Sequence, residues 1–248
     1  MRIRYQDMVS EYWNRQADTY LRSHPEHQIA AMHPSWGLHH IHENSLRIIK
    51  DEIKPGMVML ELGCGDGHDA VAFANLGLTV VAIDLSYEKL CRTPSHDSVV
   101  YLNAGAEQLP LGGHTIDFVS SDHGAFDHSP LDRLLAEVKR VLRPGGLLAI
   151  CSYSPLALAC FNPKSGRIGR VLHNSYPKKA LRTDGQSVVA ENSYSVWISA
   201  FRNNGFTIER LEELQLPTGH GNYFSDLLPT EWATRWPCDV LWVVRSER

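Results

Sequence analysis

The feature that most restricts the fold of this 248-residue chain is a glycine-rich turn between an apolar strand and a helix. Residues 58–62 (VMLEL) have the short apolar pattern of a buried strand, and residues 70–76 have the pattern of a helix. The turn between them contains Gly63, Gly65 and Gly67, and glycine is favoured where a backbone turns sharply or approaches a ligand. Such a turn predicts a ligand site at the start of the helix.

Strand and helix patterns alternate along the rest of the chain. Further apolar strands are predicted at residues 79–83, 99–102, 116–119 and 147–150, and an amphipathic helix at residues 131–142. This alternation predicts an α/β fold with a doubly wound, parallel sheet.

The flanks of this alternating region have different patterns, but no repeat or linker divides the chain. We expect one domain over residues 1–248, with an N-terminal helical cap to residue 55 and a cofactor-binding core over residues 56–153. Apolar residues at helical spacing, including Leu46, Ile49 and Ile53, indicate helices in the cap. A Pro- and Gly-containing insertion at residues 154–192 is expected to cover the sheet edge, and residues 193–248 to complete the sheet.

Two details of the glycine turn indicate which ligand it binds. The glycines follow G-x-G-x-G, and His68 occupies the place of the last glycine in the dinucleotide fingerprint G-x-G-x-x-G. Asp84 ends the next strand, where a carboxylate can accept hydrogen bonds from both hydroxyls of a ribose. Together they predict an adenosine ligand without a pyrophosphate.

With these motifs the chain resembles the class I S-adenosyl-methionine-dependent methyltransferases, in their small-molecule (methyltransferase domain 11-like) subgroup. The likeness is strongest over residues 55–152 and continues in order through the adenine loop at 103–110, the fourth motif at 116–122 and the helix and turn at 137–146. Residues 13–20 are similar to a helix that covers the cofactor in many small-molecule members. The resemblance implies a Rossmann-like, mostly parallel seven-stranded sheet whose last strand is antiparallel, with helices on both faces and an N-terminal helical lid.

The resemblance also implies a set of residues that bind S-adenosyl-L-methionine. They are Tyr20, Trp36, Glu61, Gly63, Cys64, Gly65, Asp84, Leu85, Gly105, Ala106, Glu107 and Ser121. One position departs from the family pattern, because many relatives have an aspartate for the adenine amine where this chain has Gly105. We therefore expect adenine to be bound by backbone groups of Ala106 and Glu107 and by packing against Leu85.

The catalytic candidates follow the fourth strand of the predicted sheet: Asp122, His123 and His128. His123 is the first candidate for a general base, because imidazole titrates near neutral pH. The alternative is that His123 shapes the pocket by stacking or hydrogen bonding. Asp122 is an alternative base or an acceptor near the cofactor's ammonium group. Trp36 and Trp197 are candidates for an aromatic substrate pocket.

Other classes of site are disfavoured. Six of the 13 histidines fall between His24 and His42, but carboxylate or thiolate support at metal spacing is missing, so no metal site is expected. The five scattered cysteines and the lack of a signal-like or membrane-spanning apolar segment predict a cytoplasmic protein. A net charge of −4 gives no reason to expect nucleic acid or a membrane as a partner.

We therefore expect an S-adenosyl-methionine-dependent enzyme, a monomer or homodimer, that methylates an oxygen or nitrogen of a small-molecule metabolite. Two alternatives stay open from the residues. The cofactor could serve a reaction without methyl transfer, such as a cyclisation or decarboxylation, or the fold could be a non-catalytic binding protein.

Overall fold

Strands from both halves of the chain form one sheet of seven strands, with helices on its two faces. In a computed structural model of the protein, the chain is described over residues 3–23, 33–49, 51–176, 180–183 and 188–248, without the side chains of residues 3, 4 and 20–23.

The strands, in chain order, are β1 (Ser35–Trp36), β2 (Ile41–His42), β3 (Val58–Leu62), β4 (Thr79–Asp84), β5 (Val99–Asn103), β6 (Ile116–Asp122), β7 (Leu142–Tyr153), β8 (Phe161–Asn162), β9 (Arg167–Ile168), β10 (Ala180–Thr183), β11 (Val188–Glu191), β12 (Phe206–Leu214) and β13 (Asp239–Ser246). The helices are α1 (Ile3–Ser23), α2 (Glu43–Leu46), α3 (His68–Ala74), α4 (Tyr87–Leu90), α5 (Leu131–Val141), α6 (Pro155–Cys160), α7 (Tyr194–Asn203) and α8 (Thr230–Ala233).

The order of the main sheet is β12-β13-β7-β6-β3-β4-β5. Strands β7, β6, β3, β4 and β5 are parallel, whereas β13 runs antiparallel to both of its neighbours. The predicted fold class is therefore confirmed, including the antiparallel last strand. Because β3, β4 and β6 run in one direction, the residues that follow them meet at one edge of the sheet.

Each face of the sheet packs against helices through an apolar core. On one face α5 buries Leu134, Leu135 and Val138, because its apolar residues recur at helical spacing, and α7 adds Trp197 and Phe201. On the other face α3 buries Phe73 against Phe118 of β6.

The predicted helical cap is correct for α1 but wrong for the segment after it. Among the described residues around Leu46 to Ile53, where a second helix is expected, the structure has only the single turn α2, which is preceded by the hairpin of β1 and β2. The turn ends at Arg47, which has a left-handed backbone (φ 52°). The buried carboxylate of Glu43 then accepts hydrogen bonds from the indole of Trp36 (2.6 Å) and the backbone N–H of Ile49 (2.7 Å). These bonds stabilise a turn of the chain, and a continuous helix through this segment would not allow that turn.

The insertion after β7 is folded, with a helix and two short hairpins. Helix α6 leads into the hairpin of β8 and β9, and β10 pairs with β11 in the second. An apolar cluster that includes Ala157, Ile168 and Trp232 joins this segment to the residues before β13. None of the helices described is both long and apolar enough to cross a bilayer.

Candidate functional site

The glycine turn after β3 is fixed by contacts with two neighbouring strands. Gly63, Gly65 and Gly67 all have left-handed backbones, with φ of 78°, 56° and 77°. The N–H groups of Gly63 and Cys64 donate to the carbonyl of Ile83 at 2.8 and 3.1 Å. A Cβ on Gly63 would lie 2.6 Å from the Cα of Gly124, so only glycine permits this approach.

Asp84 closes the turn from the end of β4. Its carboxylate accepts hydrogen bonds from the backbone N–H groups of Gly65 (2.8 Å) and Ser86 (2.7 Å), and it lines an open cleft above the sheet edge. Each carboxylate oxygen has two lone pairs, so both can accept a further hydrogen bond from a ligand. Such a carboxylate can accept hydrogen bonds from two neighbouring hydroxyls of a ligand.

The floor of the cleft is lined by carboxyl groups whose pKa values are raised. Burial, with repulsion from Asp69 and Asp66, raises the pKa of Glu61 well above its usual range. Burial also raises the pKa of Asp69 to about 8 and that of Asp122 to about 6. Glu61 Oε2 and Asp122 Oδ1 are buried without a hydrogen-bond partner among the described residues. A cationic ligand group would compensate both atoms.

An apolar part of the cleft lining is formed by the chain after β4 and β5. Leu85, Ala104 and Ala106 line it. Gly105 lies beside them, and a Cβ built on it would lie 3.5 Å from the side-chain amide nitrogen of Gln6 in α1. Apolar side chains of this kind can pack on the ring of an aromatic ligand.

Helix α1 covers the cleft and is held there by polar contacts. Ser10 donates to the carbonyl of Leu85 (2.9 Å), and Asn14 accepts a hydrogen bond from the hydroxyl of Ser86 (2.8 Å). The ammonium of Lys89 lies 4.1 Å from the centroid of a Trp13 ring, a cation–π contact across the mouth of the cleft.

His123 has both ring nitrogens bonded to carboxylates. Nδ1 lies 3.0 Å from Asp127 and Nε2 lies 3.0 Å from Asp239. Burial by itself lowers the pKa of His123, but the charge of Asp239 and the hydrogen bonds of both carboxylates prevail and raise it well above its usual value. The ring is therefore an imidazolium near neutral pH, and both its N–H groups are already donated.

The carboxylates around His123 also hold the loop before β2. Asp239 accepts the N–H of Leu38 (3.0 Å), and Asp122 accepts the N–H of Gly37 (2.8 Å). His123 itself has a left-handed backbone (φ 45°). The network thus ties three distant segments of the chain together beside the cleft.

His128 has a different environment. Its Nδ1 lies 2.6 Å from the carbonyl of Val188, which can only accept, so Nδ1 carries the proton. Its Nε2 accepts a hydrogen bond from the indole N–H of Trp13 at the longer distance of 3.3 Å. In this tautomer the lone pair of Nε2 meets only this long hydrogen bond.

A second cavity adjoins the cleft, lined mostly by apolar and aromatic side chains. It lies under the insertion and α1, and its lining includes Tyr12, Tyr153, Leu158, Phe161 and Val189. The cleft and the cavity share lining residues: Trp13, Leu38, His123, His128 and Phe224. A molecule in one can therefore approach a molecule in the other at these shared residues.

The structure brings most of the predicted site residues together. The cleft is lined by Glu61, Gly63, Cys64, Gly65, Asp84, Leu85, Ala106, Asp122, His123 and His128. Four others lie outside that lining: Trp36, Gly105, Glu107 and Ser121. The side chain of Tyr20 lies outside the part of the chain that the structure describes.

Packing explains where three of the excluded side chains lie. Trp36 is 1% exposed and lies against Phe73 in the core below the site, as Trp197 lies in the core on the other face. Ser121 is buried and donates to the carbonyl of Leu62 (2.9 Å), which joins β6 to β3. Glu107 faces Arg133 at 3.3 Å.

Sequence reasoning missed several residues that line the cleft, including Asp66, Asp69, Lys89, Val9 and Gly37. Asp66 and Asp69 lie inside or just after the glycine turn, so their spacing was a usable signal. Gly37 lies at the site because its N–H donates to Asp122, and no local sequence pattern predicts this contact between distant residues.

The structure does not gather the histidines of residues 24–42 into one metal cluster among the residues described, and His24 and His27 lie outside those residues. The group of potential ligands that it does place together is Asp122, His123 and Cys151. Both nitrogens of His123 are bonded to carboxylates, so this group lacks an available imidazole ligand.

Comparison with known proteins now adds to this geometry. Residues 60–150 match a family profile described as a methyltransferase domain. The profile covers the glycine turn, Asp84, the adenine loop and β6, so the resemblance expected from the motifs is confirmed.

Two curated relatives show how similarity is distributed along the chain. The malonyl-[acyl-carrier protein] O-methyltransferase of Pectobacterium atrosepticum is 33% identical over 42% of this chain and 42% of its own length. The ubiquinone/menaquinone biosynthesis C-methyltransferase of Blochmanniella pennsylvanica is 25% identical over 77% of this chain and 76% of its own. The chain spans less than half of the length of the first curated relatives it matches.

Solved structures also share the fold of this chain. A geranyl diphosphate methyltransferase in complex with its diphosphate and sinefungin superposes with a TM-score of 0.66 at 18% identity, over 99% of both chains. The likeness therefore includes the flanks of the domain in fold, although the side chains differ.

Proposed function

We propose that this protein binds S-adenosyl-L-methionine in the cleft and transfers its methyl group to an oxygen or nitrogen of a small molecule in the second cavity. One observation carries the proposal: the cleft with the cofactor motifs and an apolar cavity meet at shared side chains. A cavity lined by apolar and aromatic groups with a few polar ones suits a small organic substrate.

The residues of the cleft fit the parts of the cofactor. Asp84 accepts the ribose hydroxyls, and Leu85 and Ala106 pack on adenine. Glu61 and Asp122 have buried oxygens without partners, which suit the ammonium of the methionine portion. When bound, the cofactor supplies an electrophilic methyl group.

The substrate is held between the insertion and α1 and directed at the shared residues. What the protein adds there is orientation of the acceptor atom and removal of water, which lower the barrier without further chemistry. An acceptor hydroxyl or amine also loses a proton, and His128 accepts it through Nε2 after the substrate replaces the indole of Trp13. In this scheme His123 does not accept the proton, because both its nitrogens are held by carboxylates. It positions the segments of the chain that meet beside the cleft.

The direct test is turnover with S-adenosyl-methionine that carries an isotope label on the methyl group. The purified protein is incubated with pools of phenols, aromatic acids and amines, and both labelled products and S-adenosyl-homocysteine are measured. We expect the two to appear in equal amounts and to depend on Asp84, with Asp84→Ala as the deficient control.

The same assay separates the alternatives. Turnover of a substrate with no label in the product would show chemistry other than methyl transfer. Tight cofactor binding with no S-adenosyl-homocysteine from any acceptor class would favour a binding protein and overturn the proposal.

A further inference from the structure

The second cavity has a charged side chain in the part that lies away from the cofactor cleft. Phe161, Arg182 and Val189 line the cavity but not the cleft, whereas His123 and His128 line both. A molecule that fills the cavity therefore has one end at the shared residues and its other end beside Arg182.

Arg182 is positioned by the hairpin of β10 and β11. Its Nε donates to Glu191 at 2.5 Å, and its guanidinium carbon lies 5.6 Å from the centroid of the Phe161 ring. Its terminal nitrogens Nη1 and Nη2 have no hydrogen-bond partner among the described residues. A guanidinium with this edge available can donate two parallel hydrogen bonds to an oxyanion.

His123 and Tyr153, which also line the cavity, offer no positive charge to a ligand. The positive charge of the His123 imidazolium is more than balanced by the carboxylates of Asp127 and Asp239. Burial raises the pKa of Tyr153 to about 12, so its hydroxyl is neutral near pH 7. Arg182 is thus the cation whose donors are left for a ligand, within the lining that the structure describes.

The charge balance around Arg182 favours a monoanion. Glu191 offsets part of the positive charge of the guanidinium, and the surrounding wall is apolar and aromatic. A carboxylate needs one cation with two donors, whereas a phosphate dianion needs more positive charge than this wall provides.

From this juxtaposition we propose that the substrate is an apolar, aromatic molecule with a carboxylate, which Arg182 binds at the end of the molecule opposite the methylated atom. The inference rests on the function proposed above for the role of the cavity. Ligand binding itself can be measured without any turnover.

The test compares matched ligands that differ only in charge. Benzoate and benzamide, 2-naphthoate and 2-naphthamide, and 4-biphenylcarboxylate and its amide are titrated into the protein by calorimetry, with S-adenosyl-homocysteine and without it. We expect at least one carboxylate to bind roughly 10-fold or more tightly than its amide, because hydrogen bonds to a charged partner are the strong ones.

Three variants assign this preference to Arg182. Arg182→Gln should abolish it, Arg182→Lys should keep part of it, and Glu191→Gln should enlarge it because the guanidinium is released. Arg170→Gln is the matched control: Arg170 also pairs with a glutamate, Glu231, but does not line the cavity, so the preference should be unchanged.

If no carboxylate binds better than its amide, or if the preference survives in Arg182→Gln, the inference is overturned. Failure of methyl transfer would leave the charge preference in place. Methyl transfer to neutral substrates without a charge preference would sink the Arg182 inference while the proposed function stands.

Discussion

The cofactor cleft and the second cavity lie side by side but are built in opposite ways. The cleft has its glycine turn and its buried carboxyls at the ends of neighbouring parallel strands, within residues 60–150, while α1 and the loop before β2 add to its lining. The cavity uses apolar and aromatic side chains, mainly from α1, the insertion and the segment around Phe224.

This difference has a chemical basis. A single cofactor with fixed polar groups needs acceptors at fixed positions, and these depend on a turn that only glycine can form. An apolar substrate is bound by shape, which many sets of side chains can provide. The cleft is thus expected to respond to changes of charge and the cavity to changes of shape, and five experiments test that division.

The largest effect is expected at the boundary between the two regions, at His128. Because its Nε2 carries the lone pair that accepts the proton once the substrate replaces the indole of Trp13, His128→Gln should lower the maximal rate by roughly 10²–10⁴ while cofactor affinity stays nearly constant. Single-turnover kinetics measure the rate. His173→Gln, a change at an exposed histidine, serves as the control and should leave it unaltered. An unaltered maximal rate in His128→Gln would show that His128 is not a general base and that orientation of the substrate is enough for catalysis.

His123 should affect stability instead of the chemical step. His123→Gln leaves Asp127 and Asp239 buried without their cation, which should cost about 3–5 kcal/mol in the free energy of unfolding. The folded-state pKa of His123 is raised, so its contribution is fully present below the unfolded value of about 6.5 and is lost as pH rises through the folded value. Denaturant unfolding at several pH values measures this.

A double variant provides the control for that experiment. Asp239→Asn in the His123→Gln background removes one of the uncompensated charges and should recover part of the lost stability. If His123→Gln instead folds normally and loses only its maximal rate, the base hypothesis from the sequence would be supported over the positioning role.

Asp84 tests the cofactor side of the comparison. Asp84→Ala should weaken S-adenosyl-methionine binding by about 1–3 kcal/mol, because the ribose loses a charged acceptor and the turn loses the partner of Gly65 N–H. Calorimetry provides the affinity, and the exposed Asp97→Ala is a control for the change in net charge. Equal affinity in wild type and Asp84→Ala would remove the ribose assignment.

The cleft shows how far sequence alone can predict a site. That Gly63, Gly65 and Asp84 lie close together follows from the sequence, because a strand, a turn and the next strand are local patterns. The register of β3 with β4, in which Leu62 pairs with Ile83, then places them together as expected. The family profile matches this same part of the chain.

Long-range pairing explains what sequence did not predict. Trp36 was expected at the site, yet its indole bonds to Glu43 in the core. The partners of His123 come from positions 127 and 239, and the second of these is far away in the chain. The spacing of apolar residues does not show that β13 lies between β12 and β7. The sequence therefore could not predict that Asp239, the first residue of β13, lies beside His123 and raises its pKa.

The carboxyls of the cleft predict a pH dependence of cofactor binding. The pKa of Asp122 is raised to about 6 and that of Asp69 to about 8, and a cation stabilises their ionised forms. Binding therefore releases protons, and affinity for S-adenosyl-methionine should rise between pH 6 and 8, by up to about tenfold per pH unit for each proton released.

Calorimetry in buffers of different ionisation enthalpy counts those protons directly. Asp69→Asn should flatten the rise near pH 8 and leave the part near pH 6. Affinity that is constant with pH would show that these groups do not contact the cationic portion of the ligand. Uncharged aromatic ligands of the second cavity should show no such dependence on Asp69, which sharpens the contrast between the two regions.

The smallest effect is expected at Trp13, which lines both regions. Trp13→Phe keeps an aromatic ring above Lys89 but removes the indole N–H donated to His128. A hydrogen bond of this kind contributes about 0.5–1.5 kcal/mol, so stability should fall by no more than that amount. Because the substrate replaces this contact in the proposed mechanism, its KM should stay the same or decrease, and cofactor affinity should change little.

Trp236→Phe, at a ring that packs on Trp232 and lines neither region, is the matched control. A large rise in KM for Trp13→Phe alone would mean that the indole binds the substrate directly. Trp13 would then be part of the substrate site in the second cavity.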